Sequence, residues 1–304
     1  MNRRPFQNPL YAGFYGPKAH PTESGADKTV LKQVFFNFDP AQTDPIPMED
    51  LEYELAEEGF DKQAVIAMVI GAGLGFWALH SRLLYTLTSM IKTLVHELGH
   101  TIAGWVFGVP SIPAFDFTYG GGVTMHQEPS KFLIVVIYLG MASLLVLYRR
   151  KPVSLMIIGA MIAGHALCMM TNFKEPITIA MGHGFELIFA GIFLYRAMSG
   201  FACVHNAERP LYAFLGFLIT FDNIRFAHRL VHSPEHRWQY ENAKGGGHWM
   251  DFSRLANEFF LVDLSVIANL FMLASLLPVI ISVALYLTRD RWWNPLAKII
   301  SLED

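Results

Sequence analysis

Seven stretches of nearly unbroken apolar residues divide the chain, at 64–79, 83–109, 132–148, 153–170, 177–194, 211–221 and 259–287. None alternates strictly, as a half-buried strand would, and most approach the roughly 20 residues an α-helix needs to cross the hydrocarbon core of a bilayer. The pattern changes only between 110 and 129. There Phe115, Phe117 and Tyr119 alternate with Asp116 and Thr118, Gly120-Gly121-Gly122 breaks the run, and Val123-Thr124-Met125-His126 follows. Period-two patterning interrupted by glycine predicts a β-hairpin or re-entrant segment. The fold expected is an all-α polytopic membrane protein of about six or seven transmembrane helices, with a short hairpin after the second.

The flanks are polar. Residues 1–62 carry turn signals such as Asp44-Pro45-Ile46-Pro47 and an acidic run from Glu49 to Asp61, which reads as a solvated tail or a short amphipathic helix. Residues 63–290 form the membrane domain, interrupted by a polar, His-rich loop at 223–258, and 291–304 form a second tail. Composition agrees: 16% of residues are charged and 53% hydrophobic, against about a quarter charged in a soluble domain. The net charge of −3 gives no support for nucleic-acid binding. Cys168 and Cys203 make neither a disulfide framework nor a zinc ribbon. With all seven spans real, Arg149-Arg150-Lys151 and Arg289/Arg291 fall on one side. The positive-inside rule makes that side cytoplasmic, so either the N-terminal tail lies on the other side or 64–79 does not fully cross.

The chemistry is concentrated in one turn of the second span, His96-Glu97-Leu98-Gly99-His100. Residues four apart on a helix lie almost above one another, so the two imidazoles share a face and suit two corners of a tetrahedral zinc site. Glu97 stands beside them, within reach of a proton on a water at the metal. Ionisable groups inside an apolar span are costly and usually functional. Two buried core histidines and a surface Glu are the bland alternative.

The motif within an apolar helix, followed by Phe107-Gly108-Val109 and Gly120-Gly121-Gly122-Val123-Thr124, resembles the site-2 protease family of intramembrane zinc metalloproteases, in its compact bacterial branch. Asp251-Phe252-Ser253-Arg254-Leu255-Ala256 also looks like an Asp-x-x-x-Leu-Ala stretch of that branch. The resemblance implies zinc held by His96 and His100, water activation by Glu97, and an extended substrate against Gly121, Gly122, Val123 and Thr124. It also implies a membrane-protein substrate and a place in the bacterial inner membrane. The family's third ligand, an Asp in a Leu-Asp-Gly motif, has no counterpart here.

A catalytic zinc takes three protein ligands and keeps one position open. Depth within the spans ranks His183 first for the third ligand and Glu186 second, since the two lie three apart on one helix face and Gly182 and Gly184 clear space beside them. Whichever does not ligate orients the other. Asp222 and Asp263, near helix ends, rank lower, His165 reads as a satisfied core residue, and His248 and Asp251 are set aside as part of a loop. Two other functions compete: a membrane di-iron oxygenase, which would need further His-x-x-His-His boxes, and a non-enzymatic metal-binding membrane scaffold.

Overall fold

A computed structural model describes residues 61–116, 121–242 and 250–300, the side chains of 297 and 298 apart. The acidic run at 49–60, residues 117–120 and the glycine segment at 243–249 lie outside the described residues. The chain forms α1 (Lys62–His80), α2 (Arg82–Val106), β1 (Ser111–Phe115), β2 (Gly122–His126), α3 (Lys131–Leu147), α4 (Pro152–Met170), α5 (Lys174–Ser199), α6 (Glu208–His232) and α7 (Pro234–Asn242). The single turn α8 (Asp251–Arg254) runs on as a π-helical turn, Leu255–Phe260, and α9 (Leu264–Ala274), α10 (Leu277–Leu287) and α11 (Arg289–Ile300) follow.

Among the described residues, four helical segments are long and apolar enough to cross a membrane: α1, α4, α5 and the α9–α10 pair, Leu264–Leu287; α3 is apolar but shorter. The sequence expectation of six or seven also counted α2 and part of α6. Neither is among the four, and both carry buried ionisable groups: Glu97 and His100 on α2, Arg209 and Asp222 on α6. Their polar positions serve the interior. The segment 291–304, expected to be a tail, contributes most of α11.

Small residues bring the inner helices together. A Cβ on Gly71 of α1 would overlap Ala213 of α6, and one on Gly75 would lie 3.1 Å from the Leu218 nitrogen. Gly99 of α2 meets the Met181 carbonyl of α5 in the same way. Helices packed through such positions gain close van der Waals contact, which drives association where lipid removes the hydrophobic effect.

One end of the bundle is tied by Arg209, which is 4% exposed. Its guanidinium donates to the carbonyls of Ala197 and Met198 at the end of α5 and to Asp61 Oδ2 at the start of α1. The Asp61 amide in turn donates to the Tyr286 hydroxyl of α10, 3.3 Å away. At the α3–α4 turn, Tyr148 and Ser154 donate their hydroxyls to Ile300 and Ile299 of α11, each at 2.8 Å.

The start of α1 therefore meets the end of α10, which seven full crossings would have separated. The reason lies in α2. Tyr85 stacks against Arg225 and Lys92 bonds to Asp222. Seven residues of α2, about 10 Å, thus correspond to only three of α6, and α2 crosses its neighbour obliquely instead of running its length.

At the far end of α2, Gly108 takes a left-handed φ of 79° and the Val109 amide donates back to the Gly104 carbonyl at 2.8 Å, a six-residue closure that stops the helix. The antiparallel hairpin follows, with Ser111 opposite His126 and Phe115 opposite Gly122. It packs against the C-terminal half of α2, where a Cβ on Gly104 would overlap Ser111 Oγ.

Candidate metal centre

His96 and His100 point the same way from α2, as their spacing demands. Their Nε2 atoms lie 3.1 Å apart. Asp251 Oδ2, at the start of α8, is 3.0 Å from His96 Nε2 and 3.1 Å from His100 Nε2. The outer nitrogens are already used. His96 Nδ1 donates to Glu186 Oε1 at 2.9 Å, and His100 Nδ1 donates to the Thr178 carbonyl at 2.8 Å, both partners on α5. Those bonds fix the tautomers, so in the neutral rings both Nε2 atoms present lone pairs.

Two lone pairs and a carboxylate oxygen thus converge on one point. Burial alone would push the Asp251 carboxyl up, but the two imidazoles, when protonated, outweigh burial through hydrogen bonds and charge and hold it well below the usual carboxylate range. Three such acceptors, 3.0–3.1 Å apart, require a shared cation, either protons on the rings or a metal. Zinc bound tetrahedrally to nitrogen and oxygen at 2.0–2.1 Å sets its ligand atoms about 3.3 Å apart. The triangle matches zinc with a few tenths of an ångström of opening, so the donor set fits.

Gly182 leaves room for this. A Cβ there would overlap His100 Nε2 and lie 2.7 Å from His96 Cε1. The one-turn helix that carries Asp251 is fixed by the Phe252 amide, which donates to the Tyr240 hydroxyl of α7 at 3.2 Å, and by Phe252 itself, which packs with Leu255, Ala256 and Phe271 in the main apolar core. The hydroxyls of Thr101 and Ser253, each within two residues of a site residue, are buried with no hydrogen-bond partner among the described residues. Buried polar groups of that kind usually hold ordered water.

Glu97 is 6% exposed and belongs to the hairpin side of α2. Thr124 Oγ1 donates to its Oε2 at 2.7 Å, and Gly122 lies so close that any Cβ would overlap the Glu97 carboxylate. Positions 122 and 124 share a face of β2 because the strand alternates. Of the four residues assigned from sequence to substrate, Gly122 and Thr124 contact Glu97. Val123 and Met125 point the other way and are exposed, and Gly121 makes the turn at φ 91°.

His183 lies against His96, its ring centroid 4.5 Å away, among Phe226, Phe252 and Phe271. Its Nδ1 donates to Glu186 Oε2 at 3.3 Å. His96, His183 and Asp251 each offer a ligand atom within 4.8 Å of the others and could together hold a metal ion, which keeps His183 in the candidate ligand set, while Asp251 Oδ2 also reaches His100. Glu186 touches the outer nitrogen of His96 and orients it. Asp222 is occupied by Lys92 and Arg225, each at 2.7 Å. Asp263 is largely exposed, caps α9 through the Ser265 amide and lies 3.7 Å from Arg237. His165 is satisfied by Tyr138 and the Val106 carbonyl.

From sequence, Asp251 is set aside because it follows three glycines and reads as part of a loop; it stands 151 residues from His100. One signal did point to it, the Asp-x-x-x-Leu-Ala stretch. No protein-family model, no curated protein and no solved structure matches the chain. The site-2 protease resemblance therefore rests on the residues that carry it.

Proposed function

We infer that the chain is a zinc-dependent peptidase of the membrane, with His96, His100 and Asp251 as metal ligands and Glu97 as general base. The observation that carries this reading is the convergence of two tautomer-fixed Nε2 atoms and a carboxylate oxygen on one point, with a Glu next to the first histidine. Zinc, when bound, supplies a Lewis acid that polarises a water and the scissile carbonyl. Glu97 would serve as the base that takes a proton from the attacking water and returns it to the leaving amine. Thr124 and Gly122 hold the Glu97 carboxylate in one place, which keeps the base from swinging away between turnovers. The hairpin brings an extended backbone beside the base, a geometry that suits a substrate segment unwound from a helix.

Four apolar helices and the lipid-like exposure of Val69, Leu139 and Met156 support a bilayer setting and membrane-embedded or membrane-proximal substrates. The test is metal analysis with cleavage of a panel of single-span substrates in liposomes. Wild type should hold one zinc per chain, Asp251→Ala should lose it, and Glu97→Gln should keep zinc and lose cleavage. Full cleavage by Glu97→Gln, or two irons in place of zinc, overturns the reading.

A further inference from the structure

Behind His96 lie four buried or half-buried charges that do not reach the point where the three ligand atoms converge. Lys92 Nζ is 2.7 Å from Asp222 Oδ2 and 3.7 Å from Glu186 Oε2. Arg225 donates to Asp222 Oδ1 at 2.7 Å and to the Leu79 carbonyl at 3.0 Å, with Tyr85 stacked on it. A continuous line of ion pairs and hydrogen bonds thus runs from the corner between α1 and α2, through Arg225, Asp222, Lys92 and Glu186, to His96.

Glu186 is 1% exposed and divides its carboxylate. Oε1 takes the His96 proton, while Oε2 meets Lys92 and, at 3.3 Å, His183. Lys92 and His96 stand one turn apart on α2, hence on one face, so a single helix carries both the ligand and the cation that steadies its acceptor. Without that cation, Oε2 keeps only the long contact to His183, and the carboxylate is free to rotate away from His96. Outer partners of metal-bound imidazoles fix ring orientation and raise ligand basicity.

We propose that Lys92 is a positioning residue of the metal centre, acting through Glu186 to hold the His96 ring in its ligating orientation. The proposal rests on the zinc-site reading above. Asp222, clamped by Arg225, sets where the Lys92 ammonium sits and so extends the support to the helix corner.

The experiment measures Zn²⁺ affinity of the purified full chain by competition with a chromophoric chelator, with thermal unfolding alongside. Lys92→Met should weaken zinc binding about 10-fold or more, and Lys92→Arg should stay near wild type. Glu186→Gln should weaken it comparably, and the double variant Lys92→Met/Glu186→Gln should bind no more weakly than Glu186→Gln alone, because one residue works through the other. Unchanged affinity in Lys92→Met, or additive losses in the double variant, overturns the proposal and leaves Lys92 a structural ion pair. If Lys92→Met does not fold, Lys92→Gln, which keeps a donor for Asp222 without the charge, carries the same comparison. Wild type that binds no zinc sinks the metal site itself, whereas zinc-binding wild type with unaffected Lys92 variants sinks the positioning role alone.

Discussion

A single methyl group at position 182 would collide with both motif imidazoles, since a Cβ there overlaps His100 Nε2 and sits 2.7 Å from His96 Cε1. Gly182→Ala should therefore leave the helices in place and lower zinc affinity by about 10-fold or more, the scale of losses when ligand orientation is disturbed. Metal content after dialysis against a weak chelator checks it, and full zinc occupancy would show that the rings have room to move. Thr124 gives a complementary case, because its hydroxyl holds the base and touches no ligand. A hydrogen bond to a charged group contributes about 1.5–3 kcal/mol, so Thr124→Val should cut the cleavage rate roughly 10- to 100-fold with zinc content unchanged. Thr124→Ser, which keeps the hydroxyl, should restore most of the rate. The two variants separate building the centre from aiming the base.

At the scale of elements, packing follows the placement of glycine. On α1, Gly71 and Gly73 are two residues apart, yet a Cβ at 71 would overlap Ala213 and come within 2.6 Å of the Phe214 nitrogen, while one at 73 meets nothing within 4 Å. Gly71→Ala should cost about 1–3 kcal/mol through overpacking against α6. Gly73→Ala should be neutral or gain up to about 1 kcal/mol from helix propensity. Equal midpoints for the two variants in detergent-solubilised unfolding would refute the α1–α6 interface. The glycines were visible in the sequence as a Gly-rich span, but the face they serve was not, because periodicity locates a helix without naming its neighbour. The hairpin was legible for the opposite reason: Gly120-Gly121-Gly122 and the alternation beside it are local signals, and Gly121 does take the left-handed turn. His96, Glu97 and His100 were likewise local, spaced by one helical turn. Asp251 was not, since its approach depends on Phe252 packing into a core shared with α5, α6 and α9, and such long-range contacts leave no periodic trace.

At the scale of the molecule, the oblique course of α2 decides which segments share a face. Arg209 joins the start of α1 to the end of α5, and Tyr286 joins it to the end of α10. Ile299 and Ile300 of α11 join the α3–α4 turn that carries Arg149. Arg149, Arg150 and Arg291 therefore belong with Arg289 at the end marked by Arg209, while the hairpin and the candidate metal centre lie toward the other. On the membrane reading, cationic turns favour the cytoplasmic side, and we propose an orientation with the candidate metal centre nearer the opposite face. Counting α2 as a full crossing would separate the start of α1 from the basic turns; the two share an end once α2 runs across its neighbours. The orientation is testable on a background in which Cys168 and Cys203 are replaced by serine. Asn206→Cys, exposed beside the Arg209 end, should be shielded from a membrane-impermeant maleimide added to intact cells and labelled only after permeabilisation. Glu128→Cys, exposed just after the hairpin, should react without permeabilisation. The reverse pattern would invert the orientation and keep the fold, whereas labelling of both sites in intact cells would mean that α3, which links the hairpin to the basic turn, does not carry the chain across.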